Sequence, residues 1–401
     1  TPRSARGCHV RVDPGRGHLR SRRESLLVAA LALIAFVPAL ASSPGRMPAD
    51  TKLYLYLDPG RLLQTSASTW DPSLYGGWVP HQMVAYLWPS GPWFWLCDRI
   101  GLADWVAHRL WLGAILLLGG LGVLKLVKAF GMPLRGMAVA ALVYQLSPYV
   151  LPYVSRTTVM LLPWMSLGWL ILLTMRSVHE GGWRYPALLT LVVCTASPVN
   201  ATAFAMVLPG PLLWVAFELH SRRVSARQVL RATARIALLA IPASAWWIAM
   251  LTIQSRYGAD VLAYSESLAA VSGSSSSTEV VRSLGYWLFY LRDSNFAATS
   301  SSAPYQESSA LIAVGYTLAT LCLAGLVLTR FRQRRLAIAL VFVGAALSVG
   351  FHPFHDPAPL PSAIRDTGIA LALRSSTRAL PLLSLGMALG AAALAVAIAR
   401  T

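Results

Sequence analysis

The sequence predicts an all-α polytopic membrane protein with about ten transmembrane helices and a large first extracytoplasmic loop. Of the 401 residues, 56% are hydrophobic and 12% are charged, far below the roughly 25% charged residues of a soluble domain. Apolar runs near the length of about 20 residues that a helix needs to cross a bilayer recur along the chain. Basic residues cluster between those runs, so the net charge of +18 indicates membrane topology rather than nucleic-acid binding.

The N-terminal segment 1–24 is rich in arginine and precedes the first apolar run, 25–43. This pattern is similar to a signal peptide, but the run is longer than a signal core and many further spans follow. We therefore interpret 1–24 as a basic cytoplasmic segment and 25–43 as an uncleaved first helix. The remainder, 25–401, is predicted to form one polytopic membrane domain.

The apolar region 186–217 is too long for one comfortable crossing and short for two. Both of its flanks are basic, so both should be cytoplasmic and the chain must cross twice. Pro198 and Asn200 place the break between the two helices. The predicted spans are 25–43, 106–124, 136–153, 158–175, two within 186–217, 234–253, 309–329, 335–350 and 379–399.

With the N-terminus inside, three long loops fall outside: 44–105, 254–308 and 351–378. The serine run 272–278 within the second of these is predicted to be mobile because of its low complexity. The basic loop that follows span 309–329 falls inside. It is most simply a topology determinant, although an acidic cytoplasmic partner protein could dock there. Its arginines are Arg330, Arg332, Arg334 and Arg335.

Acidic and basic residues are absent from the spans 158–175 and 309–329 and gather on the predicted outer side. An ion-coupled transporter usually needs intramembrane acids or bases, so this distribution favours chemistry at the outer membrane surface. Asp50 and Asp58 in the first loop are the candidates for acid–base chemistry. The alternative is that both aspartates cap helices, or pair with Lys52 and Arg61. The residues alone support the two interpretations equally.

Arginine is the second candidate group, because a guanidinium can bind a phosphate through two parallel hydrogen bonds. We expect one or two of the outer arginines to contact a substrate phosphate, and the rest to meet headgroups or ion pairs. Those arginines are Arg109, Arg156, Arg256, Arg365, Arg374 and Arg378.

Two further segments stand out in the predicted outer loops. The aromatic, proline-rich segment 86–95 predicts a re-entrant or surface-lying helix. The run containing His352, His355 and Asp356 looks like a metal cluster, but its prolines disrupt helical ligand spacing and no further ligand is near. We therefore predict no metal site there.

The order and spacing of several segments resemble the membrane portion of the actinobacterial alpha-(1->3)-arabinofuranosyltransferase family over about residues 25–399. The first-loop segments are Asp50-Thr51-Lys52, Asp58-Pro59, Trp70-Asp71-Pro72, Gly77, Gln82 and Tyr86-Leu87-Trp88-Pro89 with Gly91-Pro92. The later ones are Ser147-Pro148, Val199-Asn200-Ala201, Trp246-Trp247, Arg256-Tyr257, Tyr264 with Glu266-Ser267, and Arg378 with Leu380-Pro381-Leu382.

This resemblance implies a C-type glycosyltransferase fold. It also implies inverting transfer of an arabinofuranosyl unit from a polyprenyl-phosphate donor to a cell-envelope arabinan acceptor, on the extracytoplasmic face. No cofactor is required by such a reaction, although Asp50 and Asp58 could hold a divalent metal. The family continues into an extracytoplasmic region with carbohydrate-binding modules, which we expect to be absent from this sequence.

Within that family, Asp50 is the expected general base, because it emerges directly from the first helix where this fold class places its acid. Asp58 is its expected partner. Arg256 and Arg378 are the candidates for the donor phosphate. The remaining expected substrate-binding residues are Lys52, Asp71 and Gln82.

Three alternatives remain open at the level of the sequence. A mannosyltransferase of the same fold would use the same donor lipid with a different sugar. A flippase or transporter of lipid-linked sugars would move the donor without forming a glycosidic bond. A non-catalytic scaffold would use the basic inner loops to recruit a cytoplasmic partner.

Overall fold

The computed structural model describes residues 14–48, 54–73, 76–79, 84–154, 156–260, 265–292, 299, 301–354, 358–360, 364 and 367–400. These residues form helices joined by turns and loops, with one isolated antiparallel bridge between Asp71 and Trp78. The helices are α1 Pro14–Ala41, α2 Tyr54–Leu57, α3 Pro59–Gln64, α4 Val84–Leu87, α5 Ser90–Arg99, α6 Asp104–Ala129, α7 Leu134–Gln145, α8 Leu151–Val154, α9 Leu162–Glu180, α10 Arg184–Ala196, α11 Ala201–Val207, α12 Pro209–His220, α13 Ala226–Tyr257, α14 Leu268–Ser272, α15 Ser277–Val281, α16 Trp287–Tyr290, α17 Ser302–Glu307, α18 Ser309–Leu328, α19 Arg334–Val349, α20 Gly368–Leu373 and α21 Leu380–Ile398.

Each predicted span contains at least one helix in the part of the chain that the structure describes. Among the described residues, eight helical segments are long and apolar enough to cross a membrane. The other two predicted spans correspond to α10 and α19, which are shorter, with 13 and 16 residues. The eight longer segments are Arg22–Ala41, Asp104–Ala129, Leu134–Val154, Thr158–Glu180, Ala201–His220, Ala226–Tyr257, Ser309–Leu328 and Ser376–Ile398. The protein is therefore a multi-pass membrane protein.

The predicted break within 186–217 is confirmed. Helix α10 ends at Ala196, and Asn200 caps α11 by accepting a hydrogen bond from the Ala203 amide over 2.8 Å. Pro198 contributes no amide hydrogen to either helix. The chain therefore turns between α10 and α11, and Asn200 sits at the turn.

A second break was missed by the hydropathy pattern. The predicted span 136–153 stops being an α-helix at Gln145, and Ser147 caps the short 3₁₀ turn Pro148–Val150 before α8 resumes. The physical reason is Pro148, which cannot supply an amide hydrogen to a continuing helix. The break carries Tyr149 and Tyr153 into buried positions.

Helix α21 lies at the centre of the bundle and packs against α7, α18 and α19. The contact with α18 is close: a Cβ atom added to Gly325 would lie 2.0 Å from the carbonyl oxygen of Gly390. Small residues allow such close approach of helix backbones in a membrane, where dispersion contacts drive association. Helix α13, by contrast, exposes most of its surface and lies at the periphery.

The connections gather at two ends of the bundle. At the first, which we call the basic end, the C-terminal ends of α6, α9 and α12 line one cavity together with Arg332. At the second, the loop end, Trp88 bonds to Thr195, Tyr286 stacks on Tyr153, and the Ser272 carbonyl contacts His352. Described residues of all three predicted outer loops therefore lie at this end.

The serine run 272–278 is packed into the loop end, which corrects the expectation of a mobile segment. Ser272 and Ser275 are buried. The Ser275 hydroxyl donates to the Val349 carbonyl over 3.1 Å, and the Ser274 hydroxyl donates to the Gly285 carbonyl over 2.9 Å. Low complexity was misleading here because each small hydroxyl can satisfy a backbone carbonyl.

Candidate active site at the loop end

A half-buried arginine and an asparagine join two distant parts of the chain at the loop end. Arg378 lies in the 3₁₀ turn Ser376–Ala379, directly before α21. Its Nη1 donates a hydrogen bond to Asn200 Oδ1 over 3.1 Å. The Nε of Arg378 is buried and has no hydrogen-bond partner among the residues that the structure describes. The guanidinium is thus held on one side by Asn200 and retains unused donors.

Three tyrosines lie around Arg378, and we call these four side chains the arginine–tyrosine cluster. The rings of Tyr153 and Tyr286 stack with centroids 4.9 Å apart, and the ring of Tyr149 lies 5.1 Å from that of Tyr153. All three side chains are buried. Burial raises the pKa of Tyr286, although Arg378 beside it acts in the opposite direction. The Tyr286 hydroxyl therefore stays protonated at neutral pH and can donate a hydrogen bond.

Within the described part of the chain, the buried hydroxyl oxygens Thr377 Oγ1 and Ser197 Oγ near this cluster have no hydrogen-bond partner. Buried polar groups are almost always hydrogen-bonded to protein, water or a ligand. Thr377 adjoins Arg378, and Ser197 adjoins the turn that carries Asn200. Their concentration marks a polar site that water or a polar ligand would fill.

A chain of three serine hydroxyls fixes the elements that carry the cluster. Ser384 Oγ lies 3.1 Å from Ser147 Oγ and 3.3 Å from Ser283 Oγ. Ser147 precedes Tyr149 by two residues, Ser283 precedes Tyr286 by three, and Ser384 follows Arg378 by six. These bonds set the positions of α7, the second loop and α21 relative to one another.

Glu266 and Arg374 lie at the edge of the cluster. Arg374 Nη2 is 3.9 Å from Glu266 Oε2, and Arg374 Nη1 donates to the Leu371 carbonyl over 2.8 Å. Both side chains act electrostatically on Tyr286, with Glu266 raising its pKa and Arg374 lowering it. The cluster and its edge together contain two arginines and one partly exposed carboxylate. This composition suits the binding of an anionic group.

The predicted first-loop residues have different outcomes. Asp50, Lys52 and Gln82 lie outside the described residues. Asp58 is exposed and caps α3, since its Oδ1 accepts a hydrogen bond from the Arg61 amide over 2.9 Å. The alternative interpretation of Asp58 as a helix cap is therefore what the structure shows, and its catalytic role stays a prediction.

Asp71 stabilises a turn in the first loop. Its Oδ1 accepts hydrogen bonds from the Ser73 amide over 2.9 Å and the Ser73 hydroxyl over 2.6 Å. Arg61 Nη2 in turn donates to the Ser73 hydroxyl over 2.6 Å. The bonds from Ser73 lower the pKa of Asp71, with a smaller contribution from Arg61. Asp71 is thus ionised at neutral pH.

Arg109 holds the segment that leaves the first helix. It is buried at the start of α6, and its Nη2 donates to the carbonyls of Arg46, over 3.1 Å, and Ser42, over 3.4 Å. Its Nη1 lies 2.9 Å from Nδ1 of His108. Because a guanidinium can only donate, Nδ1 must accept and the ring proton lies on Nε2. Arg109 therefore positions the chain just before residues 49–53.

The aromatic segment forms α4 and α5, and its predicted re-entrant or surface-lying position in the membrane stays a prediction. Trp88 Nε1 donates to Thr195 Oγ1 over 3.3 Å, and Trp93 Nε1 donates to the Ala107 carbonyl over 3.1 Å. Thr195 is near the C-terminal end of α10, just before the turn with Asn200. The first loop is therefore attached beside the arginine–tyrosine cluster.

The two arginines predicted to bind phosphate are placed differently. Arg378 is central to the cluster, whereas Arg256 is exposed near the end of α13. In the described part of the chain, Arg256 makes no hydrogen bond or ion pair with the cluster. Of the two predicted residues, Arg378 lies in the arginine–tyrosine cluster and Arg256 does not.

Sequence reasoning missed the roles of Asn200, Tyr149, Tyr153 and Tyr286. The signal for Asn200 was present, since an asparagine follows a proline in an apolar region and caps helices well. The tyrosines carried no comparable signal, because tyrosine is equally common at membrane interfaces.

The histidine run lies partly outside the described residues, so the absence of a metal site there stays a prediction. His352 Nδ1 lies 2.9 Å from the Ser272 carbonyl, a contact that ties the third loop to the second. His355 and Asp356 lie outside the described residues. Across the described residues, no group of three His, Cys, Asp or Glu side chains could hold a metal ion.

Comparison with known proteins places this architecture. The chain is similar to the alpha-(1->3)-arabinofuranosyltransferases of Mycolicibacterium smegmatis, with 29% identity over 90% of this chain and 25% of that protein, and of Mycobacterium tuberculosis, with 29% identity over 78% and 22%. The chain thus spans about a quarter of the length of these relatives.

Solved structures give the same result for the fold. The cryo-EM structure of arabinofuranosyltransferase AftD from Mycobacteria matches 92% of this chain and 24% of its own, with a TM-score of 0.70 and 24% identity. A mutant of that protein matches with a TM-score of 0.64. The family model described as alpha-(1->3)-arabinofuranosyltransferase, N-terminal GT-C domain, matches residues 34–401. The chain belongs to this family of N-terminal GT-C domains.

Proposed function

We propose that this chain is the membrane domain of a glycosyltransferase that moves an arabinofuranosyl unit from a polyprenyl-phosphate donor to a cell-envelope arabinan. The observation that carries this proposal is the position of the Arg378 guanidinium. It is bonded to Asn200 and lies beside three buried tyrosines. A cation with unused donors among hydroxyl groups suits a phosphate that is linked to a sugar. The family relationship supplies the class of reaction.

In the proposed reaction an acceptor hydroxyl attacks the anomeric carbon of arabinose while the bond from that carbon to the phosphate oxygen breaks. The hydroxyl proton passes to a carboxylate, and the polyprenyl phosphate leaves with the electron pair of the broken bond. Arg378 stabilises the negative charge that develops on the leaving phosphate. Asp50 takes the proton as general base, and Asp58 orients either Asp50 or the sugar.

The other predicted residues bind substrate in this proposal. Lys52, Asp71 and Gln82 contact the sugar hydroxyls from the first loop, and Arg256 contacts the donor from the end of α13. The reaction requires no cofactor. The loop end faces the extracytoplasmic side and the N-terminus lies in the cytoplasm, which agrees with the clustering of the arginine-rich connections at the opposite end.

The decisive experiment compares membranes containing the wild-type protein and variants, supplied with radiolabelled polyprenyl-phosphoarabinose and an arabinan acceptor. We expect Arg378→Ala to lower transfer by about 100-fold or more, in line with the loss of one group that stabilises an oxyanion. Asp50→Asn should abolish transfer. Arg292→Ala is the matched control, because Arg292 pairs with exposed Glu307 at the same end.

Each alternative has its own result in this assay. Transfer of mannose but not arabinose would assign the sugar differently on the same fold. Movement of labelled lipid across the bilayer without a new glycosidic bond would support a transporter. Unchanged transfer in both Arg378→Ala and Asp50→Asn would overturn the proposed site.

A further inference from the structure

A second cavity, at the opposite end from the candidate active site, is lined by five arginines. It has a volume of about 300 Å³ and lies between the end of α12 and the turn from α18 to α19. We call it the arginine cleft. Its arginines are Arg223, Arg330, Arg332, Arg334 and Arg335.

Two of these arginines are already engaged with the protein. Arg334 Nε donates to the Leu326 carbonyl over 2.6 Å, and its Nη2 donates to the Val327 carbonyl over 3.2 Å. This satisfies two free carbonyls at the C-terminal end of α18. Arg223 pairs with Glu218 over 3.3 Å. Both contacts fix the walls of the cleft.

The other three arginines have no such partner. Arg330, Arg332 and Arg335 are exposed and make no ion pair with any carboxylate of the described residues. Positive-inside topology explains why arginine is present, but it does not require three of them to line one cavity. Their mutual repulsion is relieved when an anion binds between them, and guanidinium forks suit phosphate oxygens.

The helix that begins at the cleft adds to its positive potential. The 16-residue helix α19 starts at Arg334, and the side chain of Gln333 does not cap it. Gln333 donates instead to the Phe130 carbonyl over 3.4 Å. The positive end of the α19 dipole therefore faces the same space as the unpaired arginines, which favours an anion there.

The surroundings of the cleft indicate what kind of anion. Leu328, two residues before Arg330, is 75% exposed, and Phe342 on the outer face of α19 is also 75% exposed. In a multi-pass membrane protein such side chains face the lipid. The cleft thus lies where the apolar surface of α18 and α19 ends, at the depth of the lipid headgroups.

We propose that the arginine cleft binds the headgroup phosphate of an anionic phospholipid. Arg330, Arg332 and Arg335 contact the phosphate oxygens, and the acyl chains lie along the exposed apolar faces of α18 and α19. The continuity between the charged cavity and this apolar surface favours a lipid over the acidic partner protein that the sequence suggested. This site is separate from sugar transfer, and its test does not depend on the proposed activity.

The test is lipid retention measured by native mass spectrometry. The protein is reconstituted in nanodiscs of phosphatidylcholine mixed with phosphatidylglycerol and then released from them. We expect the wild type to retain phosphatidylglycerol selectively, and Arg330→Gln/Arg332→Gln to weaken that retention by about tenfold, the size expected for charge-assisted hydrogen bonds. Arg227→Gln/Arg231→Gln is the control, since it removes the same charge from exposed positions on α13, outside the cleft.

Three results would overturn the proposal. The first is equal retention of phosphatidylglycerol by the two double variants. The second is binding of inorganic phosphate as tightly as the lipid, which would assign the cleft to a soluble anion. The third is a wild-type protein that retains no anionic lipid yet binds an acidic protein through Arg330 and Arg332. Thermal unfolding of both variants checks that the bundle is intact.

Discussion

Arg378 donates a hydrogen bond to Asn200 over 3.1 Å, although 178 positions separate the two residues in the chain. Asn200 Oδ1 also accepts the Ala203 amide over 2.8 Å, so one oxygen both caps a helix and binds a half-buried arginine. The start of α11 and the start of α21 are thereby fixed to each other. The candidate phosphate site depends on this double use of a single side-chain oxygen.

Arg378→Lys is expected to keep the charge but lose most of the function. A lysine ammonium is a point charge and cannot bond to Asn200 and present a planar pair of donors to a phosphate at the same time. We expect kcat for arabinose transfer to fall by at least about tenfold, which corresponds to about 1.4 kcal/mol. Arg292→Lys is the control, and wild-type kcat in Arg378→Lys would argue against a forked contact.

Asn200→Ala and Asn200→Ser separate the two tasks of Asn200. Serine is nearly as good a helix cap as asparagine, whereas alanine loses about 1 kcal/mol at such a position. The shorter serine side chain does not reach Arg378. We therefore expect both variants to lose transfer activity and only Asn200→Ala to lose thermal stability. A fully active Asn200→Ser would show that Asn200 does not position Arg378.

Arg109→Gln is expected to release the segment that follows the first helix. Arg109 is buried and binds the carbonyls of Ser42 and Arg46, so its loss leaves two acceptors without their cation. We expect faster proteolysis in the first loop and reduced sugar transfer, measured on the same membranes. Arg99→Gln is a suitable control, because Arg99 is exposed and lies over the ring of Trp95. Unchanged proteolysis in Arg109→Gln would show that Arg109 does not hold the segment after the first helix.

Gly325→Ala is expected to destabilise the bundle. The added methyl group would lie 2.0 Å from the Gly390 carbonyl oxygen, so α18 and α21 must move apart. Overpacking of this kind costs about 1–3 kcal/mol, visible as a lower midpoint of thermal unfolding in detergent. Gly368→Ala provides the comparison, since a Cβ atom there meets nothing within 4 Å. Equal midpoints would indicate that the two helices are not in contact.

The helical spans were predictable because hydropathy and proline act locally. The turn between α10 and α11 followed from Pro198 and from the arginines on both flanks of 186–217. Pro148 carries the same information about α7, but the apolar run continues through it and hides the break. Composition also misrepresented the serine run, since tertiary contacts decide whether a hydroxyl faces water or a buried carbonyl.

The candidate site was less predictable because its parts are far apart in sequence. Arg256 and Arg378 looked equivalent as outer arginines, and only the fold separates an exposed helix end from a buried cluster. Asp58 had two interpretations that the sequence could not separate, since an aspartate before Pro59 serves as a helix cap or as an acid equally well. The Arg61 amide at 2.9 Å shows the first of these.

The central position of α21 has a consequence for biosynthesis. A ribosome delivers α21 after α7, α18 and α19, yet all three of these helices pack against it. Before α21 inserts, those earlier helices therefore lie in the bilayer without the contacts that they make with α21. Arg378 precedes α21 directly, so the arginine meets Asn200 only when α21 inserts. Docking of α21 against these helices therefore also brings Arg378 to Asn200.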